Sequence, residues 1–145
     1  MRRWLAVILC VLSVACSDDE TGPEPIQIPG SYTLQTVNGQ ALPVQIGEVM
    51  GAYFLFQRAG TVTLNPDRTY LEHNDLQEIF NDAQLGIITN DFSSEFRGTW
   101  ESQDSAVLMR ETEHGFTSFG YVSENRLTLS FEVGDSLFTF VYRRN

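Results

Sequence analysis

Thr117-Ser-Phe-Gly-Tyr-Val122, Leu127-Thr-Leu-Ser-Phe131 and Leu137-Phe-Thr-Phe-Val-Tyr142 are three runs in which apolar and polar residues alternate or nearly alternate. A two-residue period sends successive side chains to opposite faces, which is the pattern of strands and not of helices. Glu124-Asn125 and Gly134-Asp135 separate the runs. Gly134 at the first central position suits a tight hairpin turn, because glycine adopts a positive φ at no steric cost. Residues 117–142 therefore read as consecutive antiparallel strands.

The same period extends backwards along the chain. Val107 and Met109 oppose Leu108 and Arg110, and Phe92, Phe96 and Trp100 share a parity. Thr61 to Leu64 and Thr69 to Leu71 flank the turn-like Asn65-Pro66-Asp67-Arg68. Ser31 to Val37 alternates Tyr32, Leu34 and Thr36 against Thr33, Gln35 and Val37, and ends at Asn38-Gly39. Val44 to Ile46 and Tyr53 to Phe56 are short strands or bends, and further turns fall at Ser102 to Asp104 and Glu113 to Gly115. A series of this kind predicts an all-β fold: an up-and-down antiparallel barrel of eight strands, ten at most, or a meander sandwich. Closure into a barrel removes exposed strand edges. A barrel of about eight strands is just wide enough to be filled by side chains or to hold one small ligand.

Asp75 to Thr89 reads two ways. Asp75 with Glu78 mimics a helix capping box, and Leu76, Ile79, Phe80 and Ala83 have helical spacing. Alternatively Asn81-Asp82 turns a long hairpin whose return strand runs from Ile87 to Trp100. The parity series Ile88, Asn90, Phe92, Ser94, Phe96, Gly98, Trp100 favours the hairpin.

The N-terminus reads as an export segment. Arg2 and Arg3 precede the uncharged, mostly apolar run Trp4 to Val14, which is too short to span a bilayer and suits a signal peptide. Leu12-Ser13-Val14-Ala15-Cys16 resembles a bacterial lipobox, with Ser13 where leucine is usual. The expected organisation is a signal peptide over residues 1–15, a lipidated Cys16, an acidic Pro/Gly-containing tether over 16–29, and one barrel domain over 30–145. The tether cannot bury apolar surface. After Cys16 the chain has no cysteine, so no internal disulfide can brace the domain. The expected location is the bacterial cell envelope, most simply the outer membrane, on either face.

Two of the nine basic residues fall in the leader, leaving seven against 19 acids and a mature net charge of −12. That balance argues against nucleic acid and against an anionic membrane surface as electrostatic partners. The membrane is reached through the lipid alone, and a monomer is expected.

Gly30-Ser-Tyr-Thr-Leu-Gln-Thr-Val-Asn-Gly-Gln-Ala-Leu-Pro43, Thr61-Val-Thr-Leu-Asn-Pro-Asp67, Gly98-Thr-Trp100, Arg126-Leu-Thr-Leu129 and Phe140-Val-Tyr-Arg143 resemble, in order and spacing, the small bacterial lipocalin-like lipoproteins. The resemblance implies an eight-stranded calycin-type barrel and little chemistry. It also implies a structural plug at one end: Gly30 and Tyr32 on the first strand, with Arg143 from the last strand packed over the Tyr32 ring. Where the related turn has glycine, this chain has Arg68, which costs about 1 kcal/mol if the position is left-handed.

Nucleophile elbows, zinc-helix motifs, phosphate loops and a cysteine nucleophile are all absent from the sequence. His73 would share a strand face with Asp75, which reads as a solvated strand end more readily than a metal pair. His114 lies in a turn, and the acids lack the spacing of a calcium loop. No catalytic residue, metal or cofactor is expected. Ten Phe, five Tyr and two Trp remain. They read as core packing, or as an apolar cavity lined by Phe92, Phe96, Trp100, Met109, Phe119 and Tyr121. The functional expectation is a non-enzymatic, lipid-anchored protein that binds a small apolar ligand in the barrel. The alternative is a packed barrel acting through its outer surface as an interaction or inhibitor module.

Overall fold

The computed structural model describes residues 26–133 and 136–145 and turns the two-residue period into ten strands and no helix among them. These are β1 (Gly30–Val37), β2 (Gln40–Ala41), β3 (Val44–Val49), β4 (Tyr53–Leu64), β5 (Thr69–Asp82), β6 (Gly86–Gln103), β7 (Ala106–Glu111), β8 (Thr117–Ser123), β9 (Arg126–Val133) and β10 (Ser136–Arg144). The expected signal peptide, Cys16, most of the tether and the Gly134-Asp135 turn lie outside the described residues.

Eight strands close into an antiparallel barrel. From β4 to β10 each strand pairs with its successor, and β1 seals the ring between β10 and β4. Tyr32 belongs to both closing ladders, opposite Arg144 on one side and Val62 on the other. The first connection departs from a plain meander. Asn38-Gly39, both at positive φ, makes the two-residue turn that returns β2 onto β1, and β3 then pairs with β4. Paired positive φ values match the right-handed twist of the flanking strands.

The fold takes hold before β1. Ile28 is 5% exposed within the core, and its carbonyl accepts the Tyr32 hydroxyl at 2.6 Å. We call the end where the chain enters β1 and leaves β10, with the β4–β5, β6–β7 and β8–β9 turns, the lower end. It is solid: Val62, Leu64, Val107, Val122, Leu127 and Leu129 are at most 1% exposed. Trp100 plugs it, donating its indole N–H to the Asn65 carbonyl at 3.0 Å, with the Arg68 guanidinium 4.4 Å from the ring centroid.

The plug at β1 involves a different arginine from the one expected. Arg144, not Arg143, lies over Tyr32, 5.7 Å from its ring centroid. It also donates to the carbonyls of Gln27 (2.6 Å) and Pro29. Arg143 is exposed and pairs with Thr33, so its side chain leaves the opposite face of the sheet.

Asp75 to Thr89 is a hairpin and not a helix. β5 pairs with β6 from Thr69↔Thr99 to Asp82↔Gly86. The turn comes later than Asn81-Asp82, because Asn81 still pairs with Ile87. The Asp82 carboxylate accepts the N–H groups of Gln84 (2.8 Å) and Leu85 (2.7 Å) and so shapes the turn itself. Cross-strand partners outweigh the helical spacing: Phe80 packs on Tyr53 with ring centroids 5.0 Å apart, and Tyr53 donates to Glu78 at 3.1 Å. Above a bulge in β4 between Gln57 and Ala59, strands β3, β4, β5 and β6 run on beyond the barrel as a four-stranded wing.

Candidate functional site

The upper mouth of the barrel is not filled. A pocket of about 390 Å³ lies there, and the strand residues deepest in it all have inward parity. Tyr70 and Glu72 come from β5, Phe96 from β6, Glu111 from β7, Ser118 from β8 and Phe131 from β9. Phe116, just before β8, and Glu132 complete the rim.

The floor is polar although it is buried. On β5 the inward series is Tyr70, Glu72, Asn74, which are 5%, 6% and 6% exposed. Asn74 donates its amide to Glu72 Oε1 at 2.9 Å and accepts from Gln57 at 3.0 Å. Glu72 Oε2 has no hydrogen-bond partner among the described residues. Burial pushes the Glu72 carboxyl above its ordinary range, and the Asn74 hydrogen bond offsets only part of that. Tyr142, from β10, is fully buried and its hydroxyl has no partner. Burial, followed by the charge of nearby Glu72, pushes its phenol well up. Tyr70 is raised by burial and by both Glu72 and Glu111.

Glu111 plays a different part. Its carboxylate accepts the backbone N–H groups of Glu113 (2.7 Å), His114 and Gly115 (3.1 Å), so it caps the β7–β8 loop. Burial pushes it up, but these donors and the His114 ring outweigh that and hold it below its ordinary range. Glu111, Glu113 and His114 could place three ligand atoms within 4.8 Å of one another. The caps already occupy the central carboxylate, which accounts for the cluster without an ion. His73 lies on the outer face, 3.2 Å from Asp75 and 3.7 Å from Glu95, but within β5, paired with Thr61 and Glu95, and not at the strand end expected.

The six aromatic and sulfur residues expected to line a cavity do not converge. Phe96 lines the mouth pocket, while Trp100 (3% exposed) and Met109 (0%) belong to the packed lower core. Phe92 is exposed beside the Arg58–Asp91 ion pair, in a shallow outer groove. Phe119 and Tyr121 are on the outside of the barrel, 59% and 52% exposed. The parity of β8 is the reason: Ser118, Gly120 and Val122 take the inner face, so the two rings between them must point out.

Reading by residue type selected rings and passed over the polar floor. The signal for Glu72 was nevertheless present. If His73 and Asp75 share the outer face, then Tyr70, Glu72 and Asn74 share the inner one. No protein-family model, curated protein or solved structure matches the chain.

Proposed function

We propose that the chain is a non-enzymatic, lipid-anchored protein of the bacterial cell envelope that holds a small, largely apolar ligand in the upper mouth of its barrel. The observation that carries this reading is the mouth pocket of about 390 Å³, walled by the inward rings of Phe96 and Phe131, with the exposed Phe116 at its rim, above a solid lower barrel. A pocket of that size suits a small molecule and not a long chain. The lipobox-like run ending at Cys16 supports the anchor, and ring closure, which leaves the barrel no free edge, supports a monomer.

A second reading rests on the outer surface. Phe119 pairs across the strands with Leu108, and Tyr121 stands beside it. Leu85 and Ile87 are 76% and 75% exposed at the tip of the wing. Exposed apolar groups of this kind suit contact with another protein.

Native mass spectrometry of the chain released gently from its own host distinguishes the two. A bound small molecule is expected, and it should be lost in Ser118→Trp, which fills the mouth. A chain that carries nothing, and is unchanged by Ser118→Trp, sinks the ligand reading in favour of the outer surface. Palmitate labelling is expected for the natural chain and not for Cys16→Ser. Labelling of neither would make the protein a free secreted barrel.

A further inference from the structure

The strongest unexplained feature of the mouth is an acid without a counter-charge. Glu72 is 6% exposed and lines the pocket, yet only one of its oxygens is held, by Asn74. Among the described residues, no basic side chain lines the pocket. A buried charge without a partner is costly, and proteins normally pair it or neutralise it. The Tyr142 hydroxyl, near Glu72 but not part of the pocket lining, is also buried without a partner among the described residues. A buried carboxylate that faces the pocket with one oxygen bonded and the other without a partner among the described residues points to a partner that this part of the chain does not supply.

The walls indicate which partner. Tyr70, Phe96, Phe116 and Phe131 surround the space above Glu72. Aromatic faces carry negative potential and attract cations, ammonium groups with apolar substituents above all. Glu111 and Glu132 add two further carboxylates to the lining, and the mature chain carries −12 in all, so the field outside the mouth concentrates cations. An anion would meet repulsion at every step. A neutral hydrocarbon would leave Glu72 Oε2 facing apolar atoms.

We infer that the upper pocket takes a small organic cation, an ammonium group carrying apolar substituents, with Glu72 as its counter-ion and the four rings as its cage. This rests on the mouth pocket being the binding site, and it names the class of ligand held there.

The test uses the full lipidated chain in nanodiscs, titrated calorimetrically against empty nanodiscs. The probes are benzyltrimethylammonium, its uncharged isostere neopentylbenzene, and the anion phenylacetate. The cation should bind about ten-fold or more tightly than the isostere, and phenylacetate should not bind. Glu72→Gln, its folding checked by circular dichroism, should remove most of the preference for the cation and leave the isostere unaffected. Equal affinities for cation and isostere, or a folded Glu72→Gln with its preference intact, overturn the cation assignment while leaving the pocket standing. Binding of none of the three overturns both. If Glu72→Gln does not fold, the comparison of cation with isostere on the natural chain decides alone.

Discussion

Arg143 and Arg144 are adjacent and chemically identical, yet they do different things. Arg144 covers Tyr32 and donates to two carbonyls of the segment entering β1, whereas Arg143 points into solvent. Arg144→Ala should therefore destabilise the barrel by ~2 kcal/mol, through lost charged hydrogen bonds and cation–π contact. Arg143→Ala should stay within ~0.5 kcal/mol of the natural chain. Urea denaturation of the two variants checks this, and equal midpoints would sink it. The kind of plug was legible in Gly30-Ser31-Tyr32 and the terminal arginines; its register was not. A slip of one residue moves a side chain to the other face. Here the pairing is set by ladders more than a hundred residues apart, with a bulge in β1 between Leu34 and Thr36, which no local pattern announces. Arg68 shows the converse. Its φ of 71° makes the position left-handed, the case left open by the sequence, and the strain of about 1 kcal/mol has a visible return in its stacking on Trp100.

Among the elements, β6 is the most divided. Its C-terminal third, Gly98 to Gln103, pairs with β7, with only Gly98 and Thr99 also on β5, while its N-terminal part pairs with β5 alone. That free edge carries Asp91, Glu95 and Arg97, charges that discourage pairing with another chain. Gly98 marks the division. A Cβ there would lie 1.9 Å from the Arg110 carbonyl oxygen and 2.9 Å from the Tyr70 ring, so only glycine lets β7 and Tyr70 approach so closely. Gly98→Ala should cost ~3 kcal/mol or more, because backbone must move, whereas Thr99→Ala, one residue on and facing solvent, should change stability by less than ~0.5 kcal/mol. Thermal melts of both variants measure the contrast, and a near-neutral Gly98→Ala would mean that β6 and β7 do not pack this closely. The closed eight-stranded antiparallel barrel was readable because alternation survives along most of the strands, whereas the return of β2 onto β1 and the pairing of β3 with β4 were not. The wing was readable only as an ambiguity: the residues that give helical spacing in Leu76, Ile79 and Phe80 become strand residues through partners on β4, far away in sequence.

At the scale of the molecule, two groups of acids respond oppositely to pH. Asp67, Asp82, Asp91 and Glu111 are held below their ordinary ranges, mainly by hydrogen bonds, and burial pushes the other way. Their stabilisation is present above the unfolded pKa and is lost as pH falls through the folded one. Glu72 runs the other way. Tyr70 and Asn74 on its own strand, Tyr142 on β10 and Glu111 on β7 surround it, and none of them supplies a positive charge. Its folded pKa is raised, so the folded chain holds this proton more tightly than the unfolded chain does. The benefit is complete below the unfolded value, about 4.3, and disappears as pH rises through the higher folded value. Glu72→Gln keeps the shape and the Asn74 contact without a titrating proton. The variant should match the natural chain near pH 4 and melt a few degrees higher, roughly 2–8 °C, at pH 8. Subtracting one melting profile from the other removes the acids common to both and isolates Glu72. A difference that is constant, or that narrows as pH rises, would mean the carboxylate is already compensated in the folded chain. A widening difference would identify a residue that lowers stability at neutral pH and yet stands at the centre of the only polar floor described in the barrel. The cage reading makes a further demand on the same experiment: benzyltrimethylammonium should narrow the gap by raising the natural chain more than the variant, since a ligand stabilises the folded state in proportion to how tightly it binds.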